Sequence, residues 1–269
     1  KIKGKRMNNY ELLKYREWLE ELAYAEMLTE GIDLDGDTKS IKFNPRHENN
    51  VDTSELINPT YTEIDGIQVI SIFKRKHNKE KTDGSPLIHA LKGNFGWTID
   101  EKSIIELFKQ FLKISKKIEP KYDTIINVYS RSTLNTQFLH RLNKVIKAEN
   151  HITDLFMKIE ASEVLMQAVK SNIGKSNFDK LMKSLQKMID KDNYFTYKML
   201  PTDLRQYICT SCKVEERDDL MYSEMINDKD ILILDDTISS GKTISDSVYA
   251  INETFKPKSI TVITLFSKI

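Results

Sequence analysis

The chain has 269 residues, and its 41 lysine and arginine residues nearly balance 40 aspartate and glutamate residues, which gives a net charge of +1. This length allows one large domain or two small ones, each with a buried core. The charge balance argues neither for nor against binding to nucleic acid. No apolar run approaches the ~20 residues that cross a bilayer, so we expect no membrane association.

The cysteines and the start of the sequence bear on the compartment. Cys209 and Cys212 form a C-x-x-C pair, but a zinc site would need two more good ligands nearby, so we predict two reduced thiols. The basic residues 1–6 are followed by no apolar stretch, unlike a signal peptide. Together these features predict a cytoplasmic protein.

The first part of the chain predicts an N-terminal extension over 1–62, followed by one domain over 63–269. Residues 8–30 have apolar side chains at helical spacing, which predicts an amphipathic helix that packs on the main domain or binds a partner protein. Residues 38–62 are polar with two prolines and predict a loop-rich connection. The basic run 74–81 favours a solvated connection, and the alternative is contact with phosphate or nucleic acid.

Strands and helices alternate in the main domain. The apolar patterns predict strands over 69–74 and 122–129 and helices over 100–117 and 136–148, with a polar loop over 130–135. This alternation predicts an α/β fold with a doubly wound, mainly parallel sheet. Ligands of such sheets bind outside the carboxyl ends of the strands.

Residues 150–191 contain two lysine-rich amphipathic stretches on either side of Gly174, which predict a helical insert. Their apolar spacing is more typical of a packing stripe than of a ligand site. We expect the insert to form a contact within a homo-oligomer. It is also a second candidate surface for a protein partner.

The most informative stretch is residues 231–243. Four apolar residues predict a buried parallel strand, two acids follow it, and small hydroxyl residues and a glycine lead into a helix near Thr243. Main-chain N–H groups of such a loop and the helix dipole form an anion site. The carboxylates of Asp235 and Asp236 suit a polyol or a metal instead. A ribose 5-phosphate satisfies both halves, and the simpler alternative is a strand that ends in an Asp-Asp helix cap.

This stretch resembles the phosphoribosyl-diphosphate (PRPP) signature of type I phosphoribosyltransferases: four apolar residues, two acids, a Thr/Ser/Gly loop and Gly-x-Thr. It is not a Walker P-loop, because the first glycine of that motif would fall at Asp236. The resemblance implies that Asp235 and Asp236 are catalytic, hold the ribose hydroxyls and are linked to Mg²⁺. It also implies substrate contacts in the loop, from Thr237, Ile238, Ser239, Ser240, Gly241, Lys242 and Thr243.

A second likeness covers the middle of the chain. Leu-Ile-His-x-Leu-Lys at 87–92, Asp-x-Ile-Ile-x-Val at 123–128 and the serine/arginine loop are similar to the competence-type (ComF-like) branch of that family. The sequence lacks the Pro-x-Pro and Arg-Gly-Phe-Asn runs of that branch. The likeness implies that Arg131 is catalytic, with a surface arginine as the alternative, and that this loop holds pyrophosphate through Ser130, Arg131, Ser132, Thr133 and Asn135.

The resemblance implies a glycosyltransferase that exchanges the pyrophosphate of PRPP for a nitrogen nucleophile, with Mg²⁺ as cofactor. Ser239 stands where purine-salvage members carry an acid, so that chemistry is not expected and the acceptor stays open. The N-terminal region and the insert favour a specialised bacterial system, such as a phosphoribosyltransferase-like effector of retron anti-phage defence. Two alternatives are a non-catalytic PRPP sensor with a protein or nucleic-acid partner, and a DNA-uptake factor of the competence type.

Overall fold

The computed structural model describes most of the predicted domain and part of the N-terminal region. The predicted helix over 8–30 and residues 76–81 of the basic run lie outside the described residues. No described helix is long and apolar enough to cross a bilayer. The described residues are 31–44, 51–75, 85–118, 121–128, 130, 133–169, 173–214, 219–238 and 240–267.

The described elements alternate between strands and helices along much of the chain. In chain order they are β1 (Gly31–Asp35), β2 (Ser40–Asn44), β3 (Val51–Asp52), β4 (Thr60–Ile64), β5 (Ile67–Arg75), α1 (Ser85–Leu91), β6 (Thr98–Ile99), α2 (Glu101–Ser115), β7 (Thr124–Asn127), α3 (Leu134–Leu142), β8 (Asn150–Ile152), β9 (Phe156–Lys158), α4 (Ala161–Val169), α5 (Lys175–Ile189), β10 (Cys212–Val214), α6 (Asp219–Ile226), β11 (Asp230–Ile238), α7 (Lys242–Thr254) and β12 (Ser259–Ser267).

The first of two compact units combines the described residues up to Thr60 with those of Ile72–Ile118. In it β1 pairs antiparallel with β2, β2 pairs in parallel with β6, and β3 pairs antiparallel with the end of β5. Strands therefore occupy part of residues 38–62, where the sequence predicts a loop-rich connection, and that prediction is wrong there. In β2 only Ile41 is buried, so the apolar period is too weak to mark a strand.

The second unit combines Tyr61–Ser71 with Glu119–Ser267, and the predicted division between residues 62 and 63 stays a prediction. Its strands follow the order β5, β12, β11, β7 and β8, and β4 pairs with β5. β11 runs parallel to β12 and β7, and β7 runs parallel to β8. The described chain is thus α/β, with a mixed sheet of mostly parallel strands and seven helices, which confirms the predicted fold class at this level.

Strand β11 lies in the core of the second unit. Residues 231–234 have no exposed surface, as expected for a parallel strand that is covered on both faces. On one face, Ile231 and Ile233 belong to the same apolar cluster as Ile244 and Val248 of α7. The strand and the helix that follows it are therefore fixed to each other by packing, and the loop between them is held at both ends.

The predicted helical insert is present as α4 and α5, but residues 150–158 before them form strands β8 and β9. Two 3₁₀ helices, Tyr197–Met199 and Thr202–Tyr207, follow α5, and β10 begins after them. The aromatic residues of this segment pack into a local apolar cluster. We name α4, α5 and the two 3₁₀ helices the helical module, since they share one apolar cluster that includes Val164, Leu181, Leu185, Phe195 and Leu204.

Candidate functional site

Strand β11 carries both predicted acids within the sheet. The sequence predicts that the strand ends after its four apolar residues, whereas β11 continues to Ile238. The extra residues stay in the sheet because β12 runs beside them: Asp235 pairs with Thr264, and Thr237 pairs with Phe266. Pairing with a long neighbouring strand therefore shortens the predicted loop.

The two acids lie on opposite faces of β11, because successive side chains of a strand alternate between faces. Asp235 lines a crevice at the end of the strand, whereas Asp236 is buried, with 4% of its surface exposed. The main-chain N–H of Asp236 donates to Asp235 Oδ1 over 2.8 Å. Asp235 is thus the acid at the crevice. The sequence predicts that both acids hold one ribose ring, and such a ligand would have to reach both faces of β11.

The crevice brings together predicted contact residues from β11 and from the start of α7. Its volume is about 30 Å³, far below the roughly 300–1,000 Å³ of pockets that enclose a whole ligand, so it takes one end of a ligand. Ser239, another predicted contact residue, lies outside the described residues. The residues that line the crevice are Asp235, Thr237, Ile238, Ser240, Gly241, Lys242, Thr243 and Ile244.

The first turn of α7 forms the helix side of the crevice. Gly241 is its N-cap and has a left-handed conformation with φ 74°, which glycine adopts without the steric cost that a Cβ adds. No described side chain caps the N–H groups of this turn. Such free donors, together with the positive end of the helix dipole, favour an anion.

The turn between β4 and β5 packs against the same loop. A Cβ atom at Gly241 would lie 2.9 Å from both Cδ1 and Cγ2 of Ile64. Ser245 Oγ in α7 donates to Asp65 Oδ2 over 2.6 Å. Motif spacing links neither Ile64 nor Asp65 to the loop, although the Asp65-Gly66 pair is typical of a hairpin turn. These contacts leave room only for glycine at position 241.

Lys242 is held at the wall of the crevice. Its Nζ lies 2.8 Å from Asp246 Oδ1 and donates to the main-chain carbonyl of Cys209 over 3.4 Å. The contact with Asp246 is ionic, and Oδ1 has no aligned hydrogen-bond donor among the described residues. Sequence reasoning missed Asp246, although its position four residues after Lys242 places the two side chains on one helix face.

The second predicted loop follows β7, the neighbour of β11. Ser130 is half-buried, and Thr133 is exposed and precedes α3 without a side-chain cap. Arg131 and Ser132 lie outside the described residues. Because β7 and β11 are parallel, both loops leave the same edge of the sheet, where α/β proteins bind ligands.

Buried acceptor atoms near these strand ends lack a hydrogen-bond partner among the described residues: Asn127 Oδ1, Asn135 Oδ1 and Thr237 Oγ1. Asn127 ends β7 and pairs with Leu234, so it lies on the buried face of the sheet. Asn135 Nδ2 donates to the carbonyl of Val128 over 3.2 Å, which orients its amide. Buried polar groups are nearly always paired, so these atoms point to a donor from a ligand or water. Sequence reasoning missed Asn127, whose signal is a polar residue at the end of an apolar run.

Oxygen ligands for Mg²⁺ are few in this site. No three His, Cys, Asp or Glu side chains come together as a metal site in the part of the chain that the structure describes. Mg²⁺ usually takes one or two carboxylates and completes its shell with water and substrate phosphates. Asp235, with its carboxylate at the crevice, therefore fits an ion that arrives with a phosphate ligand better than one held by protein alone.

Two comparisons with known proteins do not place the chain in a family. No protein-family model matches the chain, and a search of curated proteins gives no significant match. The case for a family therefore depends on the motif residues and on the geometry described above.

Proposed function

We propose that the chain is a type I phosphoribosyltransferase-like protein of the ComF-like kind that binds the phosphoribosyl group of PRPP and transfers or cleaves it. The main support is that the end of β11, an uncapped helix start and the carboxylate of Asp235 line one crevice. Uncapped N–H groups suit a phosphate, whereas a carboxylate suits hydroxyl groups, and a sugar phosphate carries both. The small crevice takes the phosphate end, and the ribose lies outside it.

In the proposed reaction, a nitrogen of the acceptor forms a bond to ribose C1 while the bond from C1 to the pyrophosphate oxygen breaks. Pyrophosphate leaves with the electron pair, and the acceptor nitrogen passes its proton to the departing pyrophosphate or to water. Positive charge develops on the sugar in between, and the carboxylate of Asp235 stabilises it from a fixed position. The hydroxyls of Thr237, Ser240 and Thr243 donate to the 5-phosphate.

Mg²⁺ belongs to this proposal as the partner of the diphosphate. Asp235 would hold it at the crevice, and water and the diphosphate oxygens would complete its shell. Asp236 lies on the other face of β11 and is buried, so its role as a second carboxylate stays a prediction. When bound, the ion neutralises charge on the leaving group. The contacts of Arg131 and Ser132 with pyrophosphate stay predictions, because these residues lie outside the described part of the chain.

The buried amide oxygens near β7 indicate what else the ligand carries. Asn127 Oδ1 and Asn135 Oδ1 accept hydrogen bonds and cannot donate them, so they suit N–H or O–H groups and disfavour phosphate oxygens. The edge between β7 and β11 therefore suits ribose hydroxyls or the amino group of an acceptor. This supports a ligand with a phosphate at one end and donor groups at the other.

The proposed cellular role is a phosphoribosyl-dependent effector in anti-phage defence, and it depends on analogy of architecture alone. A partner protein, nucleic-acid contact through residues 74–81 and homo-oligomer formation also stay predictions. Plaque counts for cells that carry the wild-type chain or Asp235→Asn would test this role. Equal plaque counts for the two would contradict it.

Calorimetric titration of PRPP with Mg²⁺ into the full chain tests the site, and pyrophosphate release with pooled bases and nucleotides tests transfer. We expect the wild type to bind PRPP and Asp235→Asn to weaken binding at least ~10-fold, since it removes the charge-assisted hydrogen bonds to the ribose hydroxyls and a ligand of Mg²⁺. Asp230→Asn is the matched control, because Asp230 lies at the amino end of the same strand and pairs with Lys258 over 2.7 Å.

Each outcome has a defined meaning. Binding with pyrophosphate release supports a transferase, and binding without release in any acceptor mixture supports a non-catalytic PRPP sensor. No PRPP binding by the wild type, or equal binding by Asp235→Asn, would overturn the proposed function.

A further inference from the structure

A buried polar cluster connects the start of α7 with the helical module. Asp246 lies one turn after Lys242 and has 1% of its surface exposed. Tyr197, in the first 3₁₀ helix of the module, donates from its hydroxyl to Asp246 Oδ2 over 2.7 Å. Lys242 Nζ lies 2.8 Å from Asp246 Oδ1. The carboxylate is therefore shared between the module and the wall of the crevice.

The tyrosine of this cluster is fixed in place and keeps its proton. Burial, and then the charge of Asp246, raises the pKa of Tyr197 far above its ordinary value, so its hydroxyl stays a donor at any physiological pH. Phe195 contacts the Tyr197 ring edge-on, with ring centroids 5.0 Å apart. Phe195 itself belongs to the core of the helical module, and the module thus sets the position of the hydroxyl.

Lys242 stays with Asp246 when an anion enters the crevice. A buried carboxylate without its partner is strongly destabilising, whereas one solvent-exposed ion contact is weak, so a phosphate does not pull the ammonium away. An ammonium has three N–H donors. The Cys209 carbonyl accepts a hydrogen bond from one of them, and Asp246 holds the ammonium through its charge. No other described residue accepts from Lys242 Nζ, and Lys242 lines the crevice.

We propose that Asp246 and Tyr197 are positioning residues, which hold the Lys242 ammonium at the crevice so that an N–H not bound to Cys209 binds a phosphate oxygen. This inference rests on the proposed sugar-phosphate site and deepens it. The competing view is that Asp246 acts on an anion only through its own negative charge. The two views differ in sign: loss of the charge weakens binding if Asp246 positions Lys242, and tightens binding if it only repels the phosphate.

The test is calorimetric titration of PRPP with Mg²⁺ into the full chain and its variants. We expect Lys242→Gln to raise Kd ~10-fold, Asp246→Asn ~3–10-fold and Tyr197→Phe ~3-fold, the range of single charge-assisted contacts. In the Lys242→Gln background, Asp246→Asn should raise Kd no further, because its effect passes through Lys242.

A surface ion pair provides the control for charge alone. Lys258 Nζ and Asp230 Oδ2 lie 2.7 Å apart, Lys258 is exposed and Asp230 is half-buried. Lys258→Gln and Asp230→Asn should leave Kd unchanged. Thermal unfolding of every variant separates positioning from loss of the fold. If Asp246→Asn does not fold, Tyr197→Phe decides, because it keeps both charges and removes one hydroxyl.

Two results would overturn the inference while the proposed function stands. One is a wild type that binds PRPP and an Asp246→Asn variant that binds it as tightly or more tightly. The other is an equal rise of Kd from Asp246→Asn in the wild-type and Lys242→Gln backgrounds. A wild type that binds no PRPP at all would overturn the proposed function and this inference together.

Discussion

Helices α2 and α7 begin in different ways. At α2, Asp100 is the N-cap, and its Oδ1 accepts a hydrogen bond from the main-chain N–H of Ser103 over 2.7 Å. That hydrogen bond is the main reason why the pKa of Asp100 is lowered, so the helix start stabilises an anion that the chain itself supplies. At α7, Gly241 occupies the cap position and supplies none.

An uncapped helix start indicates a ligand site only where the residues around it also suit a ligand. α5 also begins after a glycine, Gly174, without a side-chain cap, but it belongs to the helical module and does not directly follow a parallel strand. At α7, a crevice, Asp235 and Lys242 surround the open donors. We therefore propose that a ligand phosphate takes at α7 the place that the Asp100 carboxylate takes at α2.

The largest effect should come from a side chain at the cap of α7. In Gly241→Ala, the new methyl group would lie 2.9 Å from two carbon atoms of Ile64, and alanine would have to hold φ at 74°. We expect a loss of about 2–4 kcal/mol in the free energy of unfolding. PRPP binding should also be lost, because the loop donors move. Denaturant unfolding and calorimetric titration measure the two effects.

The control for that change is Gly66→Ala in the hairpin turn. Gly66 also has a positive φ, 80°, but an added Cβ meets no atom within 4 Å. Only the conformational cost of about 1–2 kcal/mol applies, and it should be about half the loss of Gly241→Ala. Equal losses for the two variants would contradict the close packing of Ile64 on the loop.

A smaller effect is expected when α2 loses its cap. Because the folded pKa of Asp100 is lowered, its stabilisation is present above the ordinary value of 3.8 and disappears as pH falls through the folded pKa. Asp100→Ala should lower the unfolding temperature by a few degrees at pH 7, and the difference should become smaller in strong acid, where only the neutral cap is lost. Thermal scans over pH 2–7 measure it, and PRPP binding should not change. A difference of the same size at every pH would contradict the role of the charged cap.

The smallest perturbation leaves the sequence unchanged and tests the packing of α7 against β10. Cys212 is buried, its Sγ lies 3.9 Å from Ser247 Oγ, and burial raises the pKa of its thiol to about 12. Cys209 is exposed. Iodoacetamide at pH 8 should therefore alkylate Cys209 and spare Cys212 in the folded protein, as peptide mass spectrometry would show. Rapid labelling of Cys212 would contradict a closed contact beside α7.

The sequence predicts the central part of the sheet well, because its signals are local. Four consecutive apolar residues at 231–234 mark β11, and similar apolar runs mark β7 and β12. The signals that predict α7 are also local, since Gly241 supplies the turn before it and its apolar residues recur at helical spacing. These features place the candidate crevice before any tertiary contact is known.

The remaining features depend on contacts between distant parts of the chain. β11 extends past its acids because β12 continues beside it, and this extension turns Asp235 and Asp236 to opposite faces. Ile64 reaches Gly241 from a hairpin far away in sequence. Tyr197 reaches Asp246 in the same way. Periodicity and motif spacing carry no information about such pairs, which is why sequence reasoning missed them.

The most direct test of the account is a crystal structure of the full chain with PRPP and Mg²⁺. We expect the 5-phosphate oxygens to lie within hydrogen-bond distance of the main-chain N–H groups of Lys242 and Thr243, with the ribose beside Asp235. Density for PRPP at another place on the protein, with side chains closing the crevice at Gly241, would contradict it.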